Sequence, residues 1–532
     1  MTEPDLIGCP MNRRRFLNRL GAGAAASAFT LGSGGTGGAV AAGPDNAAEF
    51  AAAQDSTAFF GRMFPTLPPF ASPGKALTEA LTDLGRPGGV LDAKDDHSKG
   101  PVALITDPAL RINNPDNPTH TAGTTFFGQF VDHDMTFDVT SALNVPTEPR
   151  TTRNERNPTL NLDSVYGAGP ITSSHLYVPR DKAKLKIESG GLFEDLPRAS
   201  DLTAIIADPR NDENMMLSGL QAAFILFHNR AVDLVRGENP APTQRQNDFT
   251  RARQLTTWQY QWIVVHEFLP QIVGQAMVDN VLRGGRRFYA PADGKPVMPV
   301  EFQGAAYRFG HSMVRPSYRA NLAGDRGRPF FGFIFDPALE NSRDPDDLVG
   351  GFRAPRRFIG WQTFFDFNDA EIKRNKTIDT RISTTLFNLP LSTIATGEPP
   401  TSLPQRNLLR GVTWSLPSGQ AIARTMRATP LAASDFPELA RYRLGLEAST
   451  PLWYYVLKEA QLVEDGLRLG PVGGRIVAEV FIGLLQLDPF SYLNASTRWK
   501  PTLPTRSGAV TGAFQMTDFL TFAQVDPTSR RQ

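Results

Sequence analysis

The chain has 532 residues, 41% of them hydrophobic and 20% charged, which excludes a disordered or low-complexity chain and suffices for a substantial core. Fifty-five Lys and Arg against 54 Asp and Glu leave a formal net charge of +1, without the cationic excess of a broad nucleic-acid surface. The single cysteine, Cys9, excludes disulfides, thiolate catalysis and thiolate-held metal once the N-terminus is removed, so metal chemistry falls to His, Asp, Glu, Asn and carbonyl oxygen.

Near the N-terminus, Arg13-Arg14-Arg15-Phe16-Leu17 precedes an Ala/Gly-rich apolar stretch. That stretch is about a dozen residues long, against the ~20 a membrane-spanning helix needs. The segment resembles a twin-arginine export signal, a receptor-read address, and Ala39-Val40-Ala41 fits an A-x-A cleavage site. It predicts a leader over residues 1–43, a mature chain over 44–532, and a periplasmic or extracellular destination; a disordered basic N-terminus is the alternative. No later stretch is long and apolar enough to span a membrane.

Residues 44–120 carry Pro- and Gly-rich patches (FPTLPPFASPG, GRPGGV) and read as an extended arm with short helices. Apolar periodicity then predicts helices over 124–135, 215–236, 249–275 and 301–314, the last stopped by Pro316, with further helices over 420–426, 450–460 and 475–486. Alternating β-branched patterns are scarce, and no 20–50 residue repeat is visible. The predicted fold class is mainly α: a single large, loop-rich helical domain with little β structure and one core from about residue 50 to 525.

Seven histidines remain to be sorted. His97 and His120 fall in polar, Pro-rich loops and His175 near a strand-like turn, while His228 and His266 lie in long apolar helices that favour a hydrogen-bonded core role. His266-Glu267 is no zinc motif, since Pro270 stands where the second histidine is needed. Two histidines keep unusual company. In Gly128-Gln129-Phe130-Val131-Asp132-His133-Asp134, Gln129 and His133 share a helix face at i,i+4, with Asp132 and Asp134 about 100° to either side. This is either a catalytic constellation or an ordinary capped helix end. In Arg308-Phe309-Gly310-His311, a guanidinium and an imidazole point much the same way. That pair suits a metal-ligating histidine beside an anionic group such as a haem propionate, or equally an ion-pair arginine beside a core histidine.

Together these segments resemble the animal-type haem peroxidases of the peroxidase–cyclooxygenase superfamily, with five motifs in the family's order between about residues 60 and 420. The resemblance implies a helical haem peroxidase domain holding haem b. His133 matches the distal acid–base histidine, Gln129 its neighbouring amide, and Asp132 a carboxylate that forms an ester to a haem methyl. In Asp208-Pro209-Arg210-Asn211-Asp212-Glu213-Asn214, Arg210 matches the distal arginine and Glu213 the second ester-forming carboxylate. His311 matches the proximal iron ligand and Arg308 a propionate partner. In Asn407-Leu408-Leu409-Arg410, Asn407 matches the acceptor of the proximal histidine's other N–H and Arg410 a second propionate arginine. Asp134 matches a calcium ligand, and counting back from Val165-Tyr166-Gly167 places the rest of that loop on Asn157, Thr159, Asn161 and Asp163.

The chain departs from the family at three places. Asn214 stands where myeloperoxidase has the methionine of its sulfonium link, so that bond is excluded. Val412-Thr413-Trp414-Ser415 replaces the usual R-D-H-G after Arg410-Gly411, and one loop carboxylate is moved by two residues. The resemblance implies a peroxidase that uses hydrogen peroxide to oxidise halide, pseudohalide or small aromatic donors. Its rivals are a fatty-acid dioxygenase of the same superfamily and a non-catalytic secreted haem-fold or adhesion protein. Dioxygenases carry their radical tyrosine as Y-x-x-H, whereas here that position is Arg308 and Tyr307 lies one residue earlier.

Overall fold

The computed structural model describes residues 59–238, 247–339, 342, 344–351, 354–394, 396–495 and 498–532; the expected leader lies outside them. The fold is mainly α, 46% helix and 11% strand, as the patterning predicts. Among the described residues the strands pair only in twos. One apolar cluster runs from Phe60 to Val525 and joins the arm to the C-terminal helices. Among the described residues no helix is long and apolar enough to cross a membrane.

The arm is tied down. Phe60–Gly61 pairs in parallel with Met298–Pro299, and the buried Glu301 carboxylate accepts the backbone N–H of Met63 and Phe64, both at 2.9 Å. At the centre, helix Met215–Glu238 buries Met216, Leu217, Leu220, Phe224 and Phe227 at helical spacing. Phe224 stacks on Phe130 of helix Ala122–Met135, with ring centroids 4.4 Å apart. Each such side chain, fully buried, contributes about 1.5–3 kcal/mol. Helix Ala122–Met135 starts where the chain passes close under another segment: a Cβ on Gly123 would lie 2.7 Å from the Phe364 carbonyl, so only glycine fits.

Two predicted helices are broken. The expected 249–275 helix runs as Asp248–Ile263, widens to a π turn at Val264–Phe268, resumes at Leu269–Val273 and stops at Gly274, whose φ is 80°. Pro270, which lacks an N–H and crowds the preceding turn, accounts for the widening. The expected 301–314 helix ends at Gly304; after Ala305 the chain tightens into a 3₁₀ turn over Ala306–His311. At three residues per turn, Arg308 and His311 eclipse each other. Patterning missed helix Leu403–Thr413 and the hairpin Ser317–Asp325 with Arg328–Phe333, although the helix begins with a Ser402 cap and Pro404 in its first turn.

Candidate active site

His133 sits in the last turn of helix Ala122–Met135 and is buried. Its Nδ1 lies 2.9 Å from Asn211 Oδ1, and Asn211 Nδ2 donates to Gln221 Oε1 at 2.8 Å. An amide oxygen only accepts, so the ring proton is on Nδ1 and Nε2 is the basic nitrogen. Arg210 lies in the 3₁₀ turn Pro209–Asp212, donates to the His133 carbonyl at 2.9 Å, and rests over the Phe137 ring at 4.2 Å. Its Nε and Nη2 grip Asp208 at 3.1 and 2.7 Å, and Arg156 Nε holds the same carboxylate at 2.8 Å. Burial works to raise the Asp208 pKa, but the two guanidiniums hold it well below the usual carboxylate range.

Gln129, one turn before His133, donates to Glu213 Oε2 at 3.3 Å and accepts from Asn214 Nδ2 at 3.4 Å. Glu213, one of the two ester candidates, is thus tied to the helix that carries His133 and Asp132. Burial raises the pKa of Asp132, opposed by the charges of Arg210 and Arg308.

Those elements are cross-tied. Tyr307 Oη donates to the Gly128 carbonyl at 3.0 Å, and Thr125 Oγ1 to the Met313 carbonyl at 3.5 Å. Burial, then the charge of Arg308, pushes His311 down to about 3, so the ring is neutral at physiological pH, the form that ligates a metal. Asn407 Nδ2 lies 2.8 Å from His311 Nδ1, while Asn407 Oδ1 accepts from Arg308 Nη1 at 3.2 Å. The resemblance implied the opposite polarity, with Asn407 accepting from the ring; here the guanidinium claims the amide oxygen and turns the NH₂ toward His311.

Arg410 is held by Asp138 at 3.2 Å and by Ser141. Burial, reinforced by Arg410 and Arg406, lowers Arg308 to about 10. Three arginines crowd a region in which Asp132 and Asp138 are the carboxylates acting on Arg308. A dianionic group such as a haem with two propionates fits that excess of partly buried positive charge.

Asp134 points away from the cleft. Its carboxylate accepts Leu162 N–H at 3.1 Å, Ser164 N–H at 3.3 Å and Ser164 Oγ at 2.9 Å. Asn157 Oδ1 accepts from Thr159 Oγ1 at 2.9 Å, Asn161 Oδ1 from Asp163 N–H at 3.1 Å, and Asp163 Oδ2 from Asn157 N–H at 2.9 Å. Asp163 Oδ1 is buried with no hydrogen-bond partner. Among the described residues no three His, Cys, Asp or Glu side chains converge as a metal site. A cation here would rest on Asp134 and Asp163 with amide, hydroxyl and carbonyl oxygens, a donor set suited to a hard ion.

The remaining histidines divide differently than expected. His228 is a core histidine, bonded to Tyr166 Oη at 3.0 Å and the Ala183 carbonyl at 2.8 Å. His120 is not in a polar loop: it is buried in strand Asp116–Thr121 with Nε2 2.8 Å from the Gln271 carbonyl. His266, expected in the core, is exposed on the π turn and stacks on Trp262 at 3.8 Å. His175 is exposed in a short turn, and His97 rests against Phe333. Sequence reasoning missed Asn211, Asp208 and Asp138 as site residues; the only signal for the first two was their adjacency to Arg210.

The animal haem peroxidase domain matches residues 137–328, a span that holds Arg210, Glu213, Arg308, His311 and the 157–163 loop but not His133, Asn407 or Arg410. The chain is 32% identical to chorion peroxidase of Drosophila melanogaster over 111 residues, 20% of this chain and 14% of that protein. Such alignments span between 7% and 23% of the length of the curated relatives. In structure the chain is similar to Peroxidase A from Dictyostelium discoideum, with a TM-score of 0.54 at 17% identity, over 87% of this chain and 93% of that one. It is also similar to fatty acid alpha-dioxygenase of Arabidopsis thaliana, with a TM-score of 0.52 at 16% identity, over 83% and 75%. At these identities the structural likeness is one of fold alone.

Proposed function

We propose, from the match of residues 137–328 to the animal haem peroxidase domain, that the chain is a haem peroxidase that uses hydrogen peroxide to oxidise halide, pseudohalide or small aromatic donors. The observation that carries this reading is His311 with the partly buried Arg308 one turn before it, on an element hydrogen-bonded to the helix of His133, whose ring and neighbouring Arg210 are both held in place.

Haem, when bound, supplies the iron and the redox chemistry. His311 would ligate the iron, which needs the ring proton on Nδ1; the Asn407 NH₂ that faces that nitrogen would then turn over and give up the hydrogen bond from Arg308. Arg308 and Arg410 would take the propionates, and Asp132 and Glu213 would be the carboxylates for ester links. His133 Nε2 takes a proton from peroxide and returns it to the departing oxygen. Arg210, fixed by Asp208 through Nε and Nη2, offers the rest of its guanidinium to the negative charge that develops there. Gln129, held between Glu213 and Asn214, places a neutral amide beside the donor or a water.

The dioxygenase reading finds less support. The Y-x-x-H position is Arg308, and the hydroxyl of Tyr307 is committed to the Gly128 carbonyl.

The deciding experiment is an ultraviolet–visible spectrum of protein recovered from the exported fraction, before and after peroxide, followed by acidic butanone extraction. A Soret band that shifts with peroxide is expected, with haem that resists extraction because of the Asp132 and Glu213 esters. Absence of a Soret band after expression with adequate haem removes the peroxidase reading, and extractable haem removes the esters. Oxygen uptake with a fatty acid but no peroxide-driven oxidation would favour the dioxygenase. Protein found only in the cytosol with residues 1–43 attached would remove the export reading.

The 157–163 loop with Asp134 is proposed to take calcium. Chelation by EGTA is expected to lower the Tm by several degrees, restored by calcium and not by magnesium. An unchanged Tm, with no calcium found by metal analysis, removes the cation from the loop.

A further inference from the structure

We infer that Asn211 is a positioning residue that makes His133 a base at Nε2, and that Gln221 behind it sets the direction of the Asn211 amide. The use of that base rests on the peroxidase reading; the tautomer and its cause do not.

Three elements meet in this relay. His133 comes from helix Ala122–Met135, Asn211 from the turn Pro209–Asp212 and Gln221 from helix Met215–Glu238. All three side chains are buried, at 5%, 0% and 1% exposure, so water does not average out the polarity of the chain. Gln221 Oε1 accepts from Asn211 Nδ2 at 2.8 Å, which leaves Asn211 Oδ1 to face His133 Nδ1 at 2.9 Å. With Gln221 kept as it is, turning the Asn211 amide over would set its oxygen against Gln221 Oε1, losing that hydrogen bond and opposing two acceptors. The ring is therefore held with its proton on Nδ1.

The chemistry of the acceptor matters as much as its place. A carboxylate at 211 would favour the charged imidazolium and keep the base protonated to higher pH. A neutral amide orients the ring without that pull. The charged groups around this turn are Asp132 and Asp134 on the His133 helix, Asp208, Arg210, Asp212 and Glu213 on the 208–213 segment, Arg198 on Asp212 and Arg156 on Asp208. Asp208 is a carboxylate that acts on His133, and it is gripped by two guanidiniums. Asn211 thus contributes a direction rather than a charge.

Substitution by Leu removes the acceptor at similar size. In Asn211→Leu, the rate constant for the peroxide-driven Soret change is expected to fall about 10- to 100-fold at pH 7, a part of the 10²–10⁴ that a positioned base supplies. The rate of cyanide binding, which needs a base for the HCN proton and involves no turnover, is expected to fall in parallel.

The direct readout is ¹⁵N-histidine-labelled full-length protein in the diamagnetic ferrous carbon-monoxide state, or as purified if it holds no haem. The His133 signal, identified by its loss in His133→Gln, is expected to report the Nδ1 proton in the wild type and a tautomer mixture in Asn211→Leu. A wild-type His133 protonated at Nε2 would overturn the inference even if the Leu variant fails to fold. So would a folded Leu variant with an unchanged rate. If the wild type does not react with peroxide, the peroxidase reading fails, and the nuclear magnetic resonance result alone decides the tautomer.

Discussion

Replacing His133 with alanine is expected to slow the reaction with hydrogen peroxide by about 10²–10⁴-fold while the protein keeps its Soret band. The size follows from what is removed. Asn211 holds the His133 ring in a fixed direction, with Nε2 as its basic nitrogen, and its neighbour Arg210 supplies charge but accepts no proton. The variant leaves Asn211 Oδ1 buried without its partner, at a cost of about 1–3 kcal/mol, so its Tm falls modestly. His311, Arg308 and Arg410 are untouched, and haem uptake with them. Stopped-flow spectroscopy at several pH values is the measurement. A variant that keeps the wild-type rate constant would take the proton transfer away from His133. Loss of the Soret band itself would mean that the substitution collapsed the cleft, and His133→Gln would then be the variant to measure.

Asp208→Asn is expected to destabilise the fold by about 3–5 kcal/mol, because it removes the anion shared by two largely buried cations. The carboxylate side chain is 0% exposed, against 12% for Arg156 and 13% for Arg210. Both oxygens are in use: Oδ1 accepts from Arg210 N–H at 2.9 Å and Nε at 3.1 Å, and Oδ2 from Arg210 Nη2 at 2.7 Å and Arg156 Nε at 2.8 Å. An asparagine presents one acceptor and two donors to this nest of donors. The sign of the pH dependence is fixed by the direction of the shift. The folded-state pKa of Asp208 is depressed, so its contribution is fully present above the unfolded value of about 3.8 and is lost as pH falls below it. The difference between wild type and variant is therefore expected to be flat from pH 5 to 8 and to shrink below pH 4. Urea unfolding across that range tests it. A difference below about 1 kcal/mol at pH 7 would show that water or a rearranged arginine replaces the carboxylate. The same variant frees Arg210 to swing, so its peroxide rate is expected to fall even where the fold survives.

The parts of this molecule readable from sequence are those whose physics is local. Helix Met215–Glu238 was visible because its apolar residues recur at helical spacing whatever they pack on, and the Gln129–His133 face was visible because i,i+4 geometry needs no partner. Histidine identity and motif order likewise need no coordinates. Where a local pattern was interrupted by a local breaker, the extent was misread. Pro270 and Gly274 divide one expected helix, and the kink at Ala305 turns another into a 3₁₀ segment.

The burial of a polar residue is a property of what lands on it. His120 sits in a sequence as polar as any loop, yet strand pairing and the Gln271 carbonyl bury it. His266 sits in an apolar run, yet the π turn carries it to the surface. The roles of Asn211 and Asp208 depend on groups 78 and 52 residues away along the chain. The chain's own order of residues determined which side chains bring acid–base and charge chemistry, and that the chain folds as one helical body around them. The tertiary structure alone decided the direction of each hydrogen bond: the proton of His133 to Asn211, the oxygen of Asn407 to Arg308, the carboxylate of Asp134 to the 162–164 turn. A donor's direction is set by whichever acceptor lies within about 3 Å in space, and spacing along a sequence carries that distance only within a single turn of helix.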